Sequence, residues 1–475
     1  MCKKNKVMKY FEIISSIPRG SGNTKVISDY CVSFAEEHGL EYYQDDYNNV
    51  IIYKPATKNR ENDKGVIIQG HLDMVTEKTP ESKHSFEDEG LELVYDGDYI
   101  CAKDTTLGGD DGIAIAYALA ILDDDTISHP ALEAVFTVDE EVGMLGAEAL
   151  DMSKIRGKYL LNVDSEEEGI FLAGCAGGRT AVCSIPAEYE QVSGKECTID
   201  ISGLKGGHSG TEINKERANA HILMGRILDR VNKACGINIV NIQGGTKDNV
   251  IPNRCMAKVV AEDTKSLQDT ISNLEKTFKA EYKYSDRAVT VNVSVKDNVN
   301  VMAGTKAFTE KVIQFLMLAP QGIYGREPDN AALVETSLNM GSLKVDENGM
   351  KAVYSVRSSV KEKKEYLCSL LEKLCDMLGG GYSEQGDYPA WQYSPESKLR
   401  EVMVSVYREM FKKEPKVETI HAGVECGYFA ARCEDIDIVS FGPDIYDIHT
   451  VNEKMSLSSV ERTYELILEV LNKLK

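Results

Sequence analysis

The chain has 475 residues, 42% of them apolar and 27% charged. That length points to more than one hydrophobic core, and the composition is that of an ordinary folded soluble protein. A formal net charge of −22 repels nucleic acid and anionic lipid, so DNA, RNA and membrane surfaces are excluded as expected partners. Twelve cysteines without a CxxC pair read as free thiols in a reducing compartment. No run approaches the roughly 18 apolar residues of a membrane span, and a cytoplasmic location is expected.

Lys3, Lys4 and Lys6 precede Val7 to Ile17, but Lys9, Tyr10 and Glu12 interrupt the apolar run. The segment therefore predicts a short amphipathic helix stopped near Pro18, not an export signal. A second helical pattern covers 24–39. Val66 to Gly70 predicts a buried strand, and residues 112–122 a small-residue helix, apolar nearly all round and therefore buried. Leu132 to Val138 and Tyr159 to Val163 predict further strands. Strands alternating with helices imply a mainly parallel sheet covered by helices.

The pattern changes near residue 186. Glu196 to Ser202 and Val289 to Val295 alternate with period two, as in a sheet with one wet face. Helices are expected at 216–233, 264–281, 304–317 and 360–378, with a strand at Met350 to Val356. The run Gly379-Gly380-Gly381 ends this α+β region; a helix at 396–412 and a strand at Ile436 to Phe441 then return to the first pattern. The fold class expected is α/β: one domain built from 1–185 and 385–475, with an inserted α+β domain and antiparallel sheet at 186–384.

Five segments carry chemistry. His71 directly follows a strand in Gly70-His71-Leu72-Asp73, where parallel sheets build their sites. Asp73, two residues on, points the same way in extended backbone and can orient the ring. Asp110 and Asp111 stand between glycines at the start of the apolar helix. One of them can be a helix cap, but two amid three glycines exceed what a cap needs. Asp139, Glu140 and Glu141 follow a strand; three such acids repel one another unless a cation is present. There, one glutamate can ligate while its neighbour takes a proton. Asp164 again follows a strand, with Glu166 to Glu168 behind it as solvated charge, and His449 closes a loop in the returning tail. Singly, each segment admits a plain structural reading. Together, two histidines and three carboxylates suit a pair of borderline-hard divalent ions.

These segments resemble the M20 co-catalytic metallopeptidases, and within them the aminoacyl-histidine and cytosol non-specific dipeptidases. Ala173 to Gly178, Gly206 to Gly210 and Ile420 to Gly427 carry the same resemblance, which covers about 7–470. The resemblance implies that His71 and Asp164 hold one metal, Glu141 and His449 the other, and that Asp110 bridges them. It further implies that Asp73 orients His71, that Glu140 is the general base and that the Asp110–Asp111 peptide bond is cis. The family often has Asn where Asp111 stands. The insertion resembles the family's lid, with His208 stabilising the tetrahedral intermediate and Asn249 and Arg357 binding the polar ends of the substrate; an arginine fork suits a free carboxylate.

The expected activity is hydrolysis of dipeptides, Xaa-His and broader, with two divalent ions, zinc first and cobalt or manganese next. A short peptide is the expected partner, with a homodimer through the lid. Other readings are a tripeptide aminopeptidase, a carboxypeptidase, an N-acyl amino-acid deacylase, a metal-dependent peptide-binding protein, or a scaffold with merely solvated acidic loops.

Overall fold

The computed structural model describes residues 4–327 and 330–475, which form two compact units. The first comprises the chain up to Cys175, Trp391–Thr419 and Val424–Lys475; the second is Ala176–Ala390 with Ile420–Gly423. The chain leaves the first unit at Cys175 and returns at Trp391. These two residues exchange backbone hydrogen bonds, Cys175 N–H to Trp391 O at 2.8 Å and the reverse at 3.1 Å.

In the first unit an eight-stranded sheet runs in the order Glu41–Gln44, Val50–Lys54, Leu132–Thr137, Val66–His71, Tyr159–Asn162, Asp437–Ser440, Ile170–Cys175, Lys416–Ile420. Its four central strands pair in parallel. The pairs of Val50–Lys54 with its two neighbours, and of Asp437–Ser440 with Ile170–Cys175, are antiparallel. The central strands are buried on both faces, in keeping with their mainly apolar sequences. Helix Gly109–Leu122 has no polar face after Asp111, and every residue from Asp111 to Leu122 is buried. It packs between helix Lys4–Ser15 and strand Val66–His71. A separate four-stranded sheet, unforeseen in the sequence because its strands are two to four residues long, orders as Ile445–Tyr446, Lys454–Ser456, Tyr99–Ala102, Leu93–Asp96.

The second unit is built on an antiparallel sheet. Along Tyr189–Ser202 the side chains of Cys197, Ile199 and Ile201 are buried while Thr198, Asp200 and Ser202 are not, the alternation read from sequence. Helices Ala220–Cys235, Thr264–Glu281, Lys306–Leu318 and Lys361–Leu378 bury their apolar faces with that sheet in one core. The expected insertion, 186–384, lies inside this unit. The unit also takes in strand Gly177–Ile185, because that strand pairs with both Gly349–Ser358 and Gly381–Tyr388. No helix of the described residues is long and apolar enough to cross a membrane.

Candidate active site

Register places the chemistry. In the central sheet His71 is opposite Thr137, and Gln69 is opposite Asn162. Three parallel strands thus end level, and their following loops carry Glu140 and Glu141, His71 and Asp73, and Asp164. Asp110 arrives from the N-terminal end of the buried helix. The dihedrals of Asp110 and Asp111 are not helical, so the regular helix starts behind them. Their peptide bond is cis.

Asp110 divides its two oxygens between two histidines. Oδ1 lies 3.1 Å from His71 Nε2 and Oδ2 lies 3.1 Å from His449 Nε2. Each histidine has a second carboxylate: Asp164 Oδ1 at 3.5 Å from His71 Nε2, and Glu141 Oε1 at 3.1 Å from His449 Nε2. Three sets have ligand atoms all within 4.8 Å and can each hold an ion: His71, Asp110 and Asp164; Asp110, Glu141 and His449; and His71, Glu140 and Glu141. Asp73 Oδ1 lies 3.4 Å from His71 Nδ1. The same carboxylate accepts from the backbone N–H groups of Glu140 and Glu141 and from Ser21 Oγ. It therefore ties the ring of His71 to the acidic loop.

The acids behave as a cluster short of positive charge. Burial pushes the Asp164 carboxyl up to about 6 against the pull of His71, with Asp110 and Glu141 adding to the rise. Burial, with Asp164 and Glu425 nearby, drives Glu140 well above the usual carboxylate range. Hydrogen bonds to Asp110 and Glu141 raise His449 to about 10. Burial works against a charged His71, but its bonds to Asp110, Asp164 and Asp73 outweigh that and hold it well above its ordinary value. A divalent cation relieves these tensions together, and imidazole plus carboxylate is the donor set borderline-hard ions prefer. The residues present fit a metal pair. Asp111 is fully buried, its Oδ2 accepting from the backbone N–H of His71 at 3.2 Å. Burial, then Asp164, pushes its carboxyl well above the usual carboxylate range.

The second unit brings together His208 and Arg357. A side chain on Gly210 would meet His208 Cε1 at 3.0 Å, Arg357 Nε at 3.3 Å and His421 O at 2.5 Å. His208 Nδ1 accepts from the N–H groups of Gly210 and Thr211 at 3.3 and 3.1 Å. That leaves the ring proton on Nε2, and burial, then Arg357, lowers the ring's pKa. Arg357 is buried and donates from Nη1 to Tyr388 Oη at 2.7 Å, while its Nε has no hydrogen-bond partner among the described residues. Asn249 adjoins this group in the chain: its carbonyl accepts from Ser209 N–H at 2.8 Å, and the neighbouring Val250 pairs with His208.

Several residues escaped the sequence reading. Glu425 is wholly buried, and its Oε2 accepts from Gln69 Nε2 and Thr137 Oγ1, both at 2.6 Å; Gln69 Oε1 in turn accepts from Asn162 Nδ2 at 2.6 Å. This polar ladder runs beneath the three strand ends. His421 is held by Ser337 Oγ at 2.7 Å. Arg19 and Glu453 are buried beside the loop before Asp110. Their signal in sequence was slight: a single charge within an otherwise ordinary turn. Of the glutamates read as solvated charge, Glu167 is exposed, but Glu168 binds Arg462 through two nitrogens. Burial raises Glu166, beside Asp110 and Asp164, to about 8.

The chain is similar to known proteins along nearly its whole length. The cytosol non-specific dipeptidase of Escherichia coli (strain K12) is 34% identical over 471 residues, 98% of this chain and 96% of that protein. The crystal structure of aminoacylhistidine dipeptidase from Vibrio alginolyticus matches with a TM-score of 0.92 at 30% identity, over 99% of this chain and 96% of that one. Aminopeptidase PepT from Bacillus cereus ATCC 10987, with a TM-score of 0.57 at 16% identity over 99% and 98% of the two chains, shares the fold. The profile of peptidase family M20/M25/M40 matches residues 67–473. With most of its length matched by that profile and nearly all of it by a dipeptidase, the chain belongs to peptidase family M20/M25/M40 and is a peptide hydrolase.

Proposed function

We propose that the chain is a metallo-dipeptidase that takes Xaa-His and broader dipeptides. One divalent ion would be held by His71 and Asp164, a second by Glu141 and His449, with Asp110 shared. The observation that carries this reading is Asp110, whose two oxygens face two histidines that each have a carboxylate of their own. Zinc is the first choice for such ligands, with cobalt or manganese next. When bound, the pair would lower the pKa of water toward neutrality and polarise the scissile carbonyl.

The chain's own groups do the rest. Glu140 takes the proton of the attacking water and passes it to the leaving amine, a task suited to a carboxyl raised by burial. Asp73 holds the ring of His71 in orientation. His208, with its proton on Nε2, donates to the oxyanion of the tetrahedral intermediate. Arg357 and Asn249 bind the polar ends of the substrate, the arginine taking the free carboxylate with its fork. Recognition of both substrate termini restricts turnover to short peptides. The name of the Escherichia coli relative and eleven free cysteines among the described residues support action in the cytoplasm. The second unit is proposed as both lid and homodimer contact.

The test is a substrate panel with metal-depleted protein restored one metal at a time. Dipeptides should be cleaved once zinc, cobalt or manganese returns, while tripeptides and N-acyl amino acids should not. The same preparation should sediment as a dimer. A protein that purifies without metal and cleaves no dipeptide under any restoration refutes the reading.

A further inference from the structure

We propose that Arg19 and Glu453 form a buried brace that sets the position of Asp110 and thereby the metal affinity of the site. The inference rests on the two-metal reading above. Both side chains are almost fully enclosed, at 2% exposure each, and each spends its charge on main chain. Arg19 Nη1 donates to the carbonyls of Leu72 and Asp73, both at 3.0 Å, and Nη2 donates to the carbonyl of Gly108. Glu453 receives three consecutive N–H groups from the other side of that loop: Leu107 and Gly108 on Oε2 at 2.8 and 3.1 Å, and Gly109 on Oε1 at 2.8 Å. The residues gripped adjoin His71 on one segment and Asp110 on another, and Glu453 itself lies four residues beyond His449. Two side chains thus register three ligand-bearing segments.

The glycines around Asp110 fit this arrangement. A Cβ on Gly108 would stand 2.5 Å from Arg19 Nη2, and one on Gly112 would stand 2.6 Å from the same atom. At both positions a side chain would collide with the guanidinium, and at Gly108 it would also meet Met74 Sδ at 2.8 Å. Gly108 also has φ of +64°, which other residues adopt at a cost. The guanidinium's planar fork spans three carbonyls at once, whereas an ammonium offers only a compact point charge. Both carboxylate oxygens of Glu453 are engaged by donors, so an amide in its place would set an NH2 group against at least one N–H. Groups that orient metal ligands are worth about 10–100-fold in affinity.

The experiment compares wild type with Glu453→Gln, Arg19→Lys and Arg19→Met, and with Leu471→Ala as a control buried in the C-terminal helix. The readouts are metal dissociation constants by chelator competition, the visible absorption of the cobalt-loaded protein, and the circular dichroism of the metal-free protein. We expect Glu453→Gln and both Arg19 variants to fold without metal, to bind cobalt and zinc about 10–100-fold more weakly, and to show an altered cobalt spectrum. Should Glu453→Gln not fold, Arg19→Lys, which keeps charge and approximate volume, decides. Wild-type affinity and spectrum in the folded variants overturn the brace. So does full retention by Arg19→Lys, which would assign the effect to charge alone, or an equal loss in Leu471→Ala, which would assign it to general destabilisation. A wild-type protein that binds no metal overturns instead the two-metal reading.

Discussion

Asp110 faces His71 with one oxygen and His449 with the other, so its side chain is common to both candidate ion sites. Asp110→Ala should bring the metal content below two ions per chain, read by elemental analysis; two ions retained would refute the bridging role. Glu140 is different, because it faces the cluster without a hydrogen bond to either histidine among the described contacts. Glu140→Gln should keep its metal while kcat falls about 10²–10⁴-fold or more. Near-normal turnover would remove Glu140 from the proton transfer. The proposed ligands His71, Asp110, Glu141 and Asp164 were legible because they follow a buried strand or open a buried helix, settings where a bare charge has no structural reason to be, whereas His449 lies in an exposed turn and was legible only beside the other four. Arg19, Glu425 and Glu453 were not legible in this way. Their partners lie 53–89, 288–356 and 344–346 residues away, and only folding brings them near.

The central strands show what periodicity can and cannot reveal. Mainly apolar runs at 66–70, 132–138 and 159–163 announced buried strands of a parallel sheet, and a helix without a polar face announced a buried helix. Gln69, Thr137 and Asn162 are polar residues within these segments. In the fold they converge with Glu425 in a chain of hydrogen bonds that takes up the side-chain donors of Gln69, Thr137 and Asn162. Glu425→Ala would leave the Gln69 and Thr137 donors buried and unpartnered, at about 1–3 kcal/mol for each. We expect a clear drop in melting temperature for Glu425→Ala and a smaller one for Glu425→Gln; equal stability of wild type and Glu425→Ala would show that the ladder contributes nothing. The short strands of the four-stranded sheet were illegible for another reason. Segments such as Ile445–Tyr446 and Lys454–Ser456 are too brief to establish a period, and their pairing depends on residues elsewhere in the chain.

At the scale of the whole molecule, the buried histidines of the second unit make its stability depend on pH. In the second unit burial lowers His221 to about 4, and burial with Arg357 beside it lowers His421 to about 3. In the unfolded chain both would titrate near 6.5. Between pH 6.5 and about 4 the unfolded state therefore binds more protons, so stability is fully present above 6.5 and falls as pH falls, by at most about 1.4 kcal/mol per pH unit for each ring. Hydrogen exchange of the Ala220–Cys235 amides, corrected for intrinsic rate, should lose protection on acidification, with a shallower slope in His221→Gln; identical slopes would release His221 from this role. Strand Asp437–Ser440 sits between Tyr159–Asn162 and Ile170–Cys175, although more than 260 residues separate them along the chain. At ribosomal speeds of roughly 5–20 residues per second, the early half of that sheet waits some tens of seconds with an unpaired edge. The residues from Ala176 to Ala390 emerge during that interval and can fold meanwhile. His71, Asp110 and Asp164 therefore leave the ribosome long before His449 and Glu453, so on the proposed assignment the ligands of one ion would be synthesised well ahead of those that complete the other.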